Sequence, residues 1–254
     1  MRIAVLVAAS TSLLGAALVV AADQPIKIPA YVSAAVADES RPDSDRQRDV
    51  NRKPADVLAF AGVKPGDKVG ELMPGRGYYT KLLCKVVGEK GSVKTLAIQM
   101  AMPRPAGAPP PPPPETPRGT PCTNVSADTY KIAELQLPSG LDVFWTSENY
   151  HDLPNPMFGS ADLAVFNKKV YEALRPGGIY IVEDHNTAAG AGKTVTDKLH
   201  RIEKSAVIAD VTAAGFKLDG DSHVLENPAD DHSQPPFALK GTSDKFLLKF
   251  RKPK

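Results

Sequence analysis

The chain has 254 residues, of which 42% are hydrophobic and 24% charged, enough apolar material for a core, so wholesale disorder is excluded. Lys and Arg number 31 against 29 Asp and Glu, a net charge of +2, so no basic field points to a nucleic-acid partner. Two features stand out: 24 prolines and an uncharged, apolar start.

Residues 3–22 carry no charge, Arg2 precedes them, and Asp23 and Gln24 follow. A short positive start, an apolar stretch and a small-residue end describe a secretory signal peptide over 1–22, cleaved after Val20-Ala21-Ala22. The alternative is an uncleaved anchor, since about 20 apolar residues span a bilayer. Cleavage implies a periplasmic or secreted protein that meets the membrane only in transit. Export bears on the two cysteines, Cys84 and Cys122. In an oxidising compartment they could pair and close a loop of about 38 residues. They could equally be two unrelated thiols. Without a CxxC spacing they carry no metal signature.

Residues 23–50 are polar and charge-dense, and read as an extended N-terminal arm. One domain is expected over 51–254. Its first helix begins at Pro54, buries Val57, Leu58, Phe60 and Ala61, and stops at Gly62. A short buried strand over 68–72 follows. Pro74-Gly75-Arg76-Gly77 is a Gly-rich turn, and a helix runs over 78–87 to Gly88. A second strand covers 92–98. Residues 103–121 then hold ten of the 24 prolines, six of them consecutive at 109–114. Such a run enters neither helix nor sheet, so it is an insertion in one loop, a passive spacer or a proline-rich docking segment. Beyond it come a strand over 141–145 and a helix over 160–174 capped by Ser160. Next are a β-branched strand over 179–182, a long helix over 194–214, and strands at 216–218 and 245–251. Strands alternating with helices predict an α/β fold with a largely parallel sheet.

A strand, a Gly-rich turn and a helix form a nucleotide-binding geometry, because glycine lets a ligand approach the main chain. No Lys-Ser pair follows the glycines, which argues against a P-loop. The run from Val63 through Glu71 to Gly75-Arg76-Gly77-Tyr78-Tyr79-Thr80 resembles the first motif of class I S-adenosylmethionine-dependent methyltransferases. Leu174-Arg175-Pro176-Gly177-Gly178 resembles their turn before the fifth strand. More closely, the chain resembles a family of exported bacterial predicted methyltransferases of unsettled substrate. That resemblance rests on Arg52-Lys53-Pro54-Ala55, Asn149-Tyr150-His151-Asp152, Glu183-Asp184-His185, Leu199-His200-Arg201 and Asn227-Pro228-Ala229-Asp230-Asp231-His232. It implies a Rossmann-like sheet of about seven strands with helices on both faces and a reversed last hairpin. It also implies S-adenosylmethionine as cofactor, with Glu71, Gly75 and Gly77 around its methionine part. The pattern is broken at two points. Met73 replaces the first glycine, and no acid ends the second strand, where Gln99 is the nearest polar substitute for gripping the ribose. Asp128 is placed near the adenine.

Ligands in open α/β sheets bind outside the carboxyl ends of strands. Residues 149–152 and 183–186 each follow a strand, so they should line one crevice. Methyl transfer needs a nucleophile in line with the methyl group, and often a base. His151 or His185 is the candidate base, Tyr150 a candidate wall of the methyl pocket, and Asp184 the group that fixes a histidine tautomer. His200 is a weaker candidate; Asp197 and Arg201 are read as a helical pair, and residues 230–232 as a solvated loop. The expected activity is methyl transfer to an unknown small molecule in the periplasm, with no nucleic-acid partner. Two alternatives stand beside it. One is a ligand-binding protein on the same fold without catalysis. The other is a metal-dependent enzyme using His151, Asp152, Asp184, His185 and His232, or Asp184 with Asn186. No metal is assigned to the expected site.

Overall fold

The computed structural model describes residues 26–101, 107 and 113–254. The signal-peptide reading and most of the proline tract lie outside the described residues. Among these residues no helix is long and apolar enough to cross a membrane.

Seven strands form one sheet: β1 (Lys68–Leu72), β2 (Ser92–Ile98), β3 (Val125–Tyr130), β4 (Leu141–Ser147), β5 (Leu174–His185), β6 (Lys217–Ser222) and β7 (Lys245–Arg251). Their spatial order is 3-2-1-4-5-7-6. β1 to β5 pair in parallel, and β7 runs antiparallel to both of its neighbours. This is the expected α/β sheet with its reversed last hairpin. The strand order reverses direction between β1 and β4, where a crevice opens at the carboxyl ends.

Among the described residues eight α-helices flank the sheet: α1 (Ala30–Ala37), α2 (Asp43–Arg46), α3 (Asp49–Arg52), α4 (Pro54–Ala61), α5 (Tyr78–Val87), α6 (Leu163–Ala173), α7 (Thr196–Leu199) and α8 (Lys204–Ala213). Side chains alternate across the strands and build a core on each face. Along β4, Phe144 packs with Phe166 and Val170 of α6, while Val143 and Trp145 face Leu82 and Leu83 of α5. Burial of each such side chain contributes about 1.5–3 kcal/mol.

The stretch read as an extended arm is corrected. Its described part is largely helical, and several of its charges pair within it or with lysines of α5. Arg41, fully buried, makes two hydrogen bonds to Asp49 at 2.7 and 2.8 Å. The Tyr78 hydroxyl donates to the same carboxylate at 2.6 Å, and Lys81 reaches Asp45 at 3.0 Å. Charge density suggested an arm because two of the pairs, Asp45 with Lys81 and Asp38 with Lys85, reach outside the segment.

Other expectations shift as well. The helix after β4 starts at Leu163, and Asp162 caps it by accepting from Ala164 and Val165 N–H; Ser160 sits in a left-handed turn before it. The long helix over 194–214 is broken at His200, whose φ of 51° ends α7. Arg201 then leaves the helical path: its guanidinium donates to Gln234 O, Asn186 O and Asp230 Oδ2 at 2.8–2.9 Å. It therefore pairs with Asp230, not Asp197. Asp230 also accepts from Asp244 N–H, so the loop read as solvated is tied to the fold by a buried ion pair. Finally, β3 was missed. Its sequence VSADTY is half polar because it lies at the sheet edge beside the insertion.

Candidate functional site

Two adjoining cavities open at the carboxyl ends of β1, β4 and β5. The first, about 470 Å³, is lined by Glu71, Met73, Gly75, Asn149 and Asp152. The second, about 480 Å³, is lined by His151, His185, His200, Ser243 and Lys245. Arg48, Arg52 and Glu148 line both and form the wall between them. Arg52 is ion-paired with Glu148, and Lys245 reaches the same carboxylate at 3.0 Å. Burial alone would raise the Glu148 pKa, but these two cations outweigh it and keep Glu148 ionised.

The Gly-rich turn is built for close approach. Met73 holds a φ of 46°, so the position that departs from the glycine pattern keeps a left-handed backbone. A side chain at Gly75 would meet nothing within 4 Å. Gly77 is different: a Cβ there would lie 2.3 Å from Pro117, so the end of the proline-rich insertion packs on the turn. Glu71 is buried at the end of β1, and Thr80 Oγ1 donates to it at 2.6 Å. Burial raises its pKa to about 7, against the Thr80 hydrogen bond. Asn149 donates through Nδ2 to Leu72 O at 2.9 Å. Its Oδ1 is buried without a partner. A buried acceptor left unsatisfied is costly, and here it borders a cavity.

The two polar clusters after β4 and β5 meet. The Asp184 carboxylate accepts from His151 N–H at 2.8 Å and from His185 N–H at 2.7 Å. It also bonds His151 Nδ1 at 2.7 Å, which fixes the imidazole. Burial would lower the His151 pKa, but Asp184 and Asp152 outweigh it and raise it to about 10. His151 is therefore protonated at neutral pH and cannot take a proton. His185 is the opposite case. Burial lowers its pKa to about 4, so its imidazole is neutral, with Nδ1 on Ser243 Oγ at 2.9 Å.

Three expected site residues lie elsewhere. Tyr150 is fully buried on the core side of its loop, where its hydroxyl accepts from Asn167 Nδ2 at 2.8 Å. It walls neither cavity, because consecutive residues 150 and 151 face opposite ways. Asp128 sits within β3, paired with Lys94 at 2.7 Å and with the Tyr130 hydroxyl. Gln99 follows β2, its N–H bonded to Tyr130 O, and lines neither cavity. His232 is bonded to Asp244 at 2.9 Å, away from His151. Sequence reasoning missed Arg48, Glu148 and Lys245, which carry no motif of their own. Asn149 and Arg52 stood in quoted motifs, and this was the one signal that could have found them.

No protein-family model matches the chain. No curated protein matches it either. Solved structures do. An S-adenosylmethionine-dependent methyltransferase from Aquifex aeolicus superposes with a TM-score of 0.55 at 17% identity, over 83% of this chain and 98% of that one. One from Mesorhizobium loti gives 0.52 at 15%, over 81% and 100%. The chain has the methyltransferase fold. The methyltransferase fold also serves other chemistry: the [4+2]-cyclase SpnF superposes with a TM-score of 0.52 at 14% identity, over 85% of each chain.

Proposed function

We propose that the protein is an S-adenosylmethionine-dependent methyltransferase acting on a small molecule in the periplasm. The observation that carries this reading is the unpartnered, buried Oδ1 of Asn149 beside Glu71 and the open Gly75 turn. A cavity of about 470 Å³ at the switch between β1 and β4 is of ligand size. Glu71, Gly75 and Asn149 would hold the methionine end of the cofactor. When bound, the cofactor supplies an electrophilic methyl group.

The chain's own residues divide the remaining work. Arg52 and Lys245 keep Glu148 charged at the junction of the cavities. Arg48 lines both cavities and is available to an anionic group of the acceptor. His185, neutral at pH 7, is the imidazole able to receive a proton from a hydroxyl or amine, and Ser243 holds its ring. Export is supported by the apolar leader and by the bonded pair Cys84 and Cys122, since disulfides persist in oxidising compartments.

Calorimetric titration of the purified protein with S-adenosylmethionine and its demethylated product tests the reading. Saturable binding is expected, and a Gly75→Trp variant of unchanged circular dichroism should lose it. No heat at millimolar ligand would remove the methyltransferase assignment. The second reading, a binding protein on this fold, is favoured by one observation: Gln99 and Asp128 line neither cavity, so the residues expected at the ribose and the adenine are not there. It predicts saturation by a different small molecule and none by S-adenosylmethionine.

A further inference from the structure

We propose that His151, Asp152 and His200 bind a divalent transition-metal ion at the junction of the two cavities. His151 Nε2 and His200 Nδ1 each lie 3.3 Å from Asp152 Oδ1, and the three ligand atoms fall within 4.8 Å of one another. Ligands bound to zinc at about 2.0–2.1 Å in a tetrahedron are separated by about 3.3 Å. A direct charged hydrogen bond closes instead to about 2.7–2.9 Å. The His151–Asp184 pair does close, to 2.7 Å. The two contacts of Asp152 match the spacing of ligands around one ion, and the His200 contact serves as a hydrogen bond when no ion is bound.

The surroundings complete the arrangement. Asp184 holds His151 through Nδ1 and leaves Nε2 facing Asp152, and an ion bound there replaces the proton that Nε2 carries in the metal-free protein. A carboxylate on the far nitrogen is the usual partner of a metal-bound histidine, because it fixes the ring and raises ligand basicity. Asp184 itself is not a ligand, since its oxygens already accept from His151 and His185 N–H. His185 is engaged by Ser243 through Nδ1, and His232 by Asp244. His200 reaches the site because the chain turns left-handed there, with φ 51°, and Phe237 packs against its ring.

Three protein ligands leave at least one position open. His151 and His200 line one cavity and Asp152 the other, so that position faces the crevice. An ion there would polarise a hydroxyl or carboxylate oxygen of a small molecule. This inference does not rest on the cofactor: metal binding is read directly, whether or not the protein transfers methyl groups.

The test uses the full exported protein, stripped with chelator and dialysed. Zinc titration by calorimetry should show one ion per chain. Cobalt(II) should give the intense visible bands of a low-coordinate site. Asp152→Asn and His200→Ala should each weaken zinc at least ~10-fold, and Asp184→Asn by ~10- to 100-fold. His223→Ala, an exposed imidazole on Glu226, should change nothing. Zinc affinity that survives both ligand substitutions, or that falls with His223→Ala, places the ion elsewhere and overturns the proposal. If a variant fails to fold, the cobalt spectrum of the unaltered chain decides alone: the spectrum of the aqueous ion sinks it.

Discussion

Glu71 shows how one buried side chain at the candidate site can weigh against the fold. Its carboxyl is buried at the end of β1, and burial raises its pKa from 4.5 to about 7. A raised carboxyl favours the protonated form in the folded state. Its stabilising contribution is full below pH 4.5 and is lost as pH climbs to about 7. The loss approaches about 3 kcal/mol at 1.36 kcal/mol per unit. Glu71→Gln keeps an acceptor for Thr80 and carries no charge. It should therefore stabilise the protein by up to about 3 kcal/mol at pH 8 and by almost nothing at pH 4, in urea unfolding at both values. An equal effect at the two would refute the burial argument. The same contrast separates two histidines that look alike in sequence. Two carboxylates keep His151 charged, while burial keeps His185 neutral. Their motifs drew attention to both residues, but their charge states depend on neighbours from other strands.

At the scale of elements, the turn between β1 and α5 carries both the candidate cofactor site and a contact with the insertion. Gly75 and Gly77 both adopt positive φ, 54° and 74°. Only Gly77 lies under Pro117, 2.3 Å from where a Cβ would stand. Gly75→Ala should cost about 1–2 kcal/mol, the left-handed strain of an L-residue. Gly77→Ala adds a steric clash and should cost a further 1–3 kcal/mol, about the price of overpacking. Equal losses in chemical denaturation would mean that the insertion does not rest on the turn. The elements themselves were largely legible. The bounds of β1, β2, β7 and α5 follow from apolar runs ended by glycine or by turn residues. The helix around His200 was not legible, because local apolar spacing is compatible with helix there. The interactions that break it are Arg201's bonds to residues 186, 230 and 234, and these are non-local.

For the molecule as a whole, the disulfide joins the end of α5 to the end of the proline-rich insertion, at a sequence separation of 38. Closing a loop of that size stabilises the fold by about 4 kcal/mol in the chain-entropy model. Cys84→Ser should lower the unfolding free energy by up to that amount, and thiol titration of the unaltered protein should find no free cysteine. Free thiols in the purified protein would contradict the pairing. The first helices α1 to α3 belong to the same global frame. Of these, α3 carries Arg52, paired with Glu148 between the two cavities, and Asp49, which accepts from Tyr78.

By itself the sequence determined the α/β class with a largely parallel sheet and the bounds of β1, β2 and β7, because burial periodicity and turn residues are local signals. It also indicated that two polar clusters share one crevice, since topology sends the carboxyl ends of parallel strands to the same edge. Only the tertiary structure decided which residues enter that crevice. It turned Tyr150 into the core, kept Gln99 and Asp128 out, and brought Arg48, Arg52 and Lys245 in. The reason is that a side chain's direction and charge state depend on partners distant in sequence. His200 is the clearest case: it reaches Asp152 because Arg201 is held by a loop that begins some thirty residues later.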